Sequence, residues 1–134
     1  GYAAALATIK QYEKKKGAQH TGQVGKYLST GLKKIFTKYN LKIEMTGLAS
    51  VPTMVIKEKD PLVVKSVFTQ EMLAQGYLAS TMVYVSCSHT KQIVDQYLKS
   101  ADQVFACITE GIQAGTLKGL LKGPVCHSGF SRLT

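Results

Sequence analysis

The stretch from Phe68 to Thr90, FTQEMLAQGYLASTMVYVSCSHT, is the most informative part of this chain. Its first part continues an apolar helical pattern that ends at Gly76, and glycine readily adopts the left-handed conformation that closes a helix. Residues 82–86 are rich in β-branched and aromatic side chains, which predicts a strand. Thr90 is a favoured N-cap residue and predicts the start of a new helix. The stretch therefore reads as helix, strand and helix.

Before this stretch, the sequence predicts two helices. The first covers about residues 2–16 and ends in three lysines followed by Gly17, which we expect to be its C-terminal cap. The second covers about residues 21–39, with apolar residues at helical spacing on one side and lysines on the rest. Gly22, Gly25 and Gly31 make it a poor independent helix, so we expect a tertiary core to support it.

Short alternating segments predict the sheet. Residues 41–45 and 53–56 read as strands, with Pro52 at the start of the second, and residues 77–79 could add a short strand before 82–86. Asp60 and Pro61 predict a helix start, with the carboxylate as cap. A sustained apolar stripe follows Thr90, and spaced glycines then loosen the chain from Gly111 onward. The order α-α-β-β-α-β-α predicts an α+β fold. We expect a small, mainly antiparallel sheet of three to four strands with helices on one face, in a single domain covering residues 1–134.

The charge of the chain is strongly positive, with a formal net charge of +9. Such an excess can attract nucleic acid or another polyanion, so a lysine-rich binding module is an alternative hypothesis. We favour a solvated lysine surface, because base and phosphate recognition usually recruits arginine and Arg132 is the only one here. Tyr27, Tyr39 and Tyr97 fall on apolar helix faces, which predicts core packing rather than base stacking. No apolar run reaches the roughly 18 residues that cross a bilayer.

Cysteine and histidine positions predict no catalytic or metal site. The three cysteines lack a C-x-x-C spacing, which favours free thiols in a reducing cytosol. Cys87 is predicted to lie on a strand, two residues from His89, so a thiolate pair is conceivable but not favoured. We expect His89 to pack or hydrogen-bond at the turn before the helix. No phosphate-binding glycine loop or nucleophile elbow is present in the sequence.

The chain resembles the small domain of class III pyridoxal-phosphate (PLP) aminotransferases, and most closely the glutamate-1-semialdehyde aminomutase branch. The resemblance rests on three motifs in the expected order along the chain. They are the opening AAALATI of residues 3–9, the EML-x-x-G and S-x-x-H-T elements of residues 71–76 and 86–90, and the closing GF-x-RL of residues 129–133.

The resemblance implies that the reactive centre lies elsewhere. The family holds PLP through a lysine in a larger domain, which would precede Gly1, and the small domain covers the active-site mouth and helps to shape the substrate pocket. We therefore expect no catalytic and no cofactor-binding residue in this chain. The parent enzyme is expected to be a cytoplasmic homodimer that contains PLP, with no membrane partner.

The sequence also departs from the family at positions that contact substrate. Many relatives carry an arginine clamp near the position of Met82 on this strand, and aminomutases carry a glutamate near the position of Thr81. Both are absent here, which leaves the substrate open. Thr81 and Arg132 are the candidates for contact with substrate, although Arg132 also suits a structural ion pair. A free-standing regulatory domain is a third hypothesis, without a motif to support it.

Overall fold

A computed structural model describes residues 1–129 of the chain. Four α-helices and two β-strands make up most of this part. In chain order they are α1 (Tyr2–Lys14), α2 (Gly17–Lys38), β1 (Ile43–Leu48), β2 (Val51–Ile56), α3 (Pro61–Ala74) and α4 (Lys91–Gln113), followed by a 3₁₀ turn at Leu117–Leu120. The α+β class and the antiparallel pairing predicted from the sequence are confirmed.

The sheet has fewer strands than the sequence predicts. Within residues 1–129 it has two, β1 and β2, instead of three or four. The predicted third strand does run antiparallel beside β2, but it forms only an isolated bridge between Thr53 and Met82. The Val83 amide donates to the Pro52 carbonyl at 3.0 Å, and Pro52 has no N–H to return a bond. The ladder is broken for that reason, and residues 77–79 likewise form no strand.

One face of the sheet packs against the helices. Cross-strand pairs such as Ile43 with Ile56 and Met45 with Met54 lie on this face, and Ile43 and Met54 are buried. The α2 helix contacts both strands, and α3 contacts β2. Helices on one face of a small antiparallel sheet match the prediction.

The core is centred on three phenylalanines from three helices. The Phe105 ring of α4 lies 5.1 Å from the Phe36 ring of α2 in an edge-to-face arrangement. On its other side it stacks on Phe68 of α3, also at 5.1 Å. Aromatic pairs at this spacing add about 0.5–1.5 kcal/mol each beyond the area that they bury. This cluster fixes how α2, α3 and α4 meet.

Two helix ends agree with the prediction. Gly76 has φ of +87° and closes α3, with its amide donating to the Leu73 carbonyl. The Thr90 side chain accepts a hydrogen bond from the Ile93 amide at 3.3 Å and caps α4. Both signals are local, because each depends on the conformation or side chain of one residue.

Three other helix ends differ from the prediction. Lys16, with φ of 50°, takes the left-handed conformation that we predicted for Gly17. Gly17 instead begins α2, and a Cβ at this position would overlap the Tyr12 ring. The Asp60 carboxylate receives no hydrogen bond from the helix amides in the described chain, although the Asp60 carbonyl accepts from Val63 and Val64. At the other end of the chain, α4 continues through Gly111, which is buried against Leu117, instead of loosening there.

Apolar side chains of α1 and one tyrosine of α2 remain exposed. Every residue of α1 is exposed, so its row of Tyr2, Leu6 and Ile9 does not enter the core. Tyr27 is 38% exposed, and its hydroxyl donates to the Asp95 carboxylate at 2.5 Å, so the prediction of a core Tyr27 is wrong. Tyr39 and Tyr97 do pack against the core. No helix among residues 1–129 is both long and apolar enough to cross a membrane.

Candidate functional site

A cleft of about 490 Å³ lies beside residues 77–85, which we call the edge segment. The segment itself forms one wall, α2 contributes Val24 and Leu28, and α4 contributes Val94 and Tyr97. Most of the lining is apolar, as expected for a surface that binds another apolar group.

The edge segment has the alternation of a strand. Its odd-numbered residues are half-buried against the helices, and its even-numbered residues are exposed. Three backbone hydrogen bonds tie it to the sheet: the Met54 amide donates to Thr81, the Val83 amide to Pro52, and the Val85 amide to Ser50. These bonds hold the cleft wall in place despite the broken ladder.

Two tyrosines of the cleft lining lie against each other. The rings of Tyr77 and Tyr97 meet edge-to-face with centroids 5.5 Å apart. The Tyr97 hydroxyl is buried and has no hydrogen-bond partner among residues 1–129. Burial, with a further contribution from the charge of Tyr77, raises the pKa of Tyr97 to about 12. The phenol therefore stays neutral and offers a donor that the described residues leave unused.

His89 serves the turn before α4, as predicted. Its Nδ1 accepts a hydrogen bond from the Ser86 amide at 2.9 Å, so the neutral ring carries its proton on Nε2. The His89 carbonyl is 2.9 Å from Nε2 of His20, which must donate because a carbonyl can only accept. The two histidines thus join the start of α2 to the start of α4.

The cysteines show no activated thiol. Cys87 lies in a turn after the edge segment, not on a strand as predicted, and the neighbouring His89 ring is engaged by Ser86. Burial, followed by the charges of Glu71 and Glu110, raises the pKa of the Cys107 thiol and disfavours its thiolate. All three thiols of the described chain are free. Among the same residues, no group of three or more His, Cys, Asp or Glu side chains is placed to hold a metal ion.

The two candidate substrate residues have different outcomes. Thr81 is half-buried between Ser80 and Met82, which line the cleft, and its carbonyl accepts from the Met54 amide at 2.7 Å. Its role toward substrate stays a prediction. Arg132 and most of the GF-x-RL motif lie outside the described residues, so the contact of Arg132 with substrate also stays a prediction.

Sequence reasoning missed Tyr77 and Tyr97 as a pair in one cleft. Tyr97 reads as part of the apolar stripe of α4, and Tyr77 as a residue after a helix cap. Only the return of the chain along β2 brings them together. The sequence signal that could have indicated this cleft is the run from Gly76 to Thr90, which lacks charged residues in a chain that is otherwise rich in lysine.

Comparisons with known proteins identify the fold. No protein-family model matches the chain, and a search of curated proteins finds no significant match. Among solved structures, the chain is similar to the FumI protein of Sphingopyxis sp. MTA144, solved in its PLP internal aldimine form. The TM-score is 0.74 at 21% identity, over 84% of this chain and 28% of that one.

Two further solved structures agree. An omega-transaminase from Sphaerobacter thermophilus matches with a TM-score of 0.60 at 9% identity, over 66% of this chain and 23% of that one. A transaminase with PLP bound matches with a TM-score of 0.60 at 15% identity, over 69% of this chain and 23% of that one. The chain therefore has the fold of an aminotransferase domain and spans about a quarter of the length of these structures.

Proposed function

We propose that this chain is the small domain of a larger PLP-dependent aminotransferase of class III, related to the glutamate-1-semialdehyde aminomutases. In the parent enzyme it would cover the active-site mouth and help to shape the substrate pocket. The observation that carries the proposal is the match to FumI over 84% of this chain but only 28% of that protein. The motifs of residues 3–9, 71–76 and 86–90 support the same family independently of the fold.

The residues of the cleft do not fit PLP itself. Among residues 1–129, its lining includes no lysine to bond the cofactor aldehyde and no arginine or lysine to hold the phosphate. Aminotransferase chemistry needs both, since the cofactor acts as the electron sink and the protein holds and orients it. We therefore assign cofactor binding and catalysis to the part of the parent enzyme outside this chain.

The proposed substrate contacts are Thr81 and Arg132. Thr81 stands where aminomutases have a glutamate, so the reaction would be amino transfer to an aldehyde- or keto-bearing substrate without that acid. Arg132 could hold a carboxylate through paired hydrogen bonds. The parent would be a homodimer, joined through its larger domain, in the reducing cytosol that the free thiols favour.

The test is expression of the complete coding sequence that contains this chain. The full-length protein should show a visible PLP absorbance that borohydride abolishes, and it should transfer an amino group between an amine donor and a keto acceptor. The 134-residue chain, given PLP under the same conditions, serves as the control and should show neither property. A stoichiometric borohydride-sensitive chromophore on the short chain, or none on the long one, would contradict the proposal.

The lysine-rich binding module is the alternative, and the exposed Lys33, Lys34 and Lys38 of α2 are its best surface. Two observations weigh against it. Lys38 is paired with Asp102 at 2.8 Å, and Tyr39 and Tyr97 pack against the core and are not free to stack on bases. Binding to single-stranded DNA that weakens steeply with added salt would favour this alternative.

A further inference from the structure

The edge segment leaves one backbone edge unpaired. In an antiparallel arrangement, residues whose amides point to one neighbour alternate with residues whose amides point away. Thr81, Val83 and Val85 use backbone groups on β2 and the turn before it. Met82 and Tyr84 point the other way, and their amides find no backbone partner among residues 1–129.

This edge lacks the features that normally protect an open strand. Natural edges carry charged residues, proline or a bulge, or are covered, because an open apolar edge pairs with other chains. From Gly76 to Thr90 the sequence has no Asp, Glu, Lys, Arg or Pro. The exposed side chains of the segment include Leu78 at 97%, Tyr84 at 72% and Met82 at 42%. Such a surface is expected to be covered in the functional protein.

The cleft beside the edge segment can accommodate side chains of a group that covers the segment. It runs along the edge with a volume of about 490 Å³ and a mostly apolar lining. Val24 and Leu28 of α2 and Val94 of α4 belong to that lining, so an apolar side chain that enters the cleft is removed from water.

We propose that this edge is the docking surface for an extended, apolar segment supplied by the part of the parent protein outside this chain. The segment adds a strand beside residues 82–84, pairs with the amides of Met82 and Tyr84, and buries its alternate side chains in the cleft. This inference rests on the proposed function, which supplies a longer parent.

Two observations favour the parent over a second copy of the chain as the occupant. The similar solved structures are about four times longer than the matched part, so most of such a fold lies outside this chain. Two copies of this chain would each carry a net charge of +9, and the repulsion between them opposes pairing of identical edges.

Hydrogen exchange read at single residues, on the 134-residue chain and on the full-length protein, tests the proposal. In the short chain the amides of Val83 and Val85 should be protected, and those of Met82 and Tyr84 should exchange rapidly. In the full-length protein, Met82 and Tyr84 should slow by on the order of 100-fold or more, since they then open only with the docked strand. Rapid exchange of both amides in the full-length protein would overturn the inference.

A pair of charged substitutions supplies the control. Tyr84→Lys lies on the edge, whereas Leu73→Lys changes an α3 side chain that is 55% exposed and does not line the cleft. Both should leave the melting temperature of the short chain almost unchanged. In the full-length protein, Tyr84→Lys should restore rapid exchange at Met82, and Leu73→Lys should not. Equal effects of the two substitutions would count against docking at this edge.

The remaining outcomes separate this inference from the proposed function. A full-length protein that binds PLP but leaves the edge unprotected would refute the docking surface and keep the aminotransferase assignment. A full-length protein that protects the edge but does not bind PLP would refute the aminotransferase assignment and keep the docking surface. If sedimentation shows the short chain to be a dimer, with concentration-dependent protection of Met82 and Tyr84, the occupant is a second copy and the proposal is wrong.

Discussion

Gly25 lets α2 approach the hairpin that supports the cleft, and Gly25→Ala should break that approach. A Cβ at this position would overlap the Ala49 carbonyl oxygen and lie 2.8 Å from its carbonyl carbon. It would also touch the Val85 side chain at 3.5 Å. The Ala49 carbonyl belongs to the turn between β1 and β2, so the obstacle is backbone that cannot rotate away.

The magnitude follows from the size of the overlap. Carbon atoms in contact normally stay about 3.5–4.0 Å apart, and the overlap with the Ala49 oxygen is deeper than the overlap with its carbon, so the helix or the turn would have to move by more than about 1 Å. Overpacking of this kind costs about 1–3 kcal/mol. We expect the upper end, because the Cβ is fixed to the helix backbone and the Ala49 carbonyl is itself backbone. Alanine recovers up to about 1 kcal/mol through its higher helix propensity. Gly25→Ala should therefore lower the free energy of unfolding by about 2 kcal/mol.

Gly22→Ala is the matched control on the same helix. A Cβ at Gly22 would meet nothing within 4 Å in the described chain, so only the helix propensity changes. This variant should gain up to about 1 kcal/mol. Urea unfolding followed by circular dichroism at 222 nm measures both changes, provided that the denaturant slope stays constant. If Gly25→Ala proves as stable as Gly22→Ala, the close approach of α2 to the turn is wrong.

Three further substitutions test the helix cap, the core and the cleft. Thr90→Ala should cost about 1 kcal/mol in urea unfolding, because it removes the only side-chain cap that the described part of α4 shows at its start, and Thr90→Ser should restore most of the loss. Phe105→Ala should cost about 3–5 kcal/mol, since the ring contacts Phe36 and Phe68; a loss below about 1 kcal/mol would mean that the core is not centred there. Tyr97→Phe should leave stability at neutral pH unchanged or raise it, because the hydroxyl has no partner in the described residues. A tyrosine that ionises near pH 10 when unfolded and at about 12 when folded holds its proton more tightly in the folded state, so its ionisation lowers the stability of the fold as the pH rises from 10 to 12. Wild type should therefore lose more stability than Tyr97→Phe between pH 10 and 12, as measured by urea unfolding at each pH, and equal losses would contradict a raised pKa.

Features that depend on one residue and its chain neighbours were predicted correctly. Gly76 and Thr90 mark helix ends because a left-handed φ and a side-chain cap need nothing from elsewhere in the chain. The apolar stripe of α4 was predicted because a helix repeats its buried face at a fixed period, and its buried members include Phe105 and Ile108. The antiparallel class of the sheet follows from two short strands joined by a tight turn.

Features that depend on a distant partner were missed or misplaced. The predicted third strand has the right composition, but its pairing depends on the residue opposite, and Pro52 opposite Val83 lacks the N–H that a ladder needs. Gly17 was assigned to the end of α1 because a glycine after three lysines suits a cap. It begins α2 instead, and its missing side chain leaves room for the Tyr12 ring.

The helices, two of their ends, the α+β class and the absence of a recognisable catalytic motif could all be predicted from the residues along the chain. Each of these depends on the spacing of residues along one segment and on the conformational preferences of single residues. Three features required the folded chain: Tyr77 and Tyr97 share a cleft, Gly25 lies against Ala49, and the edge of residues 77–85 is open within residues 1–129. These depend on which backbones meet across the fold, and periodicity along one segment carries no information about the partner opposite.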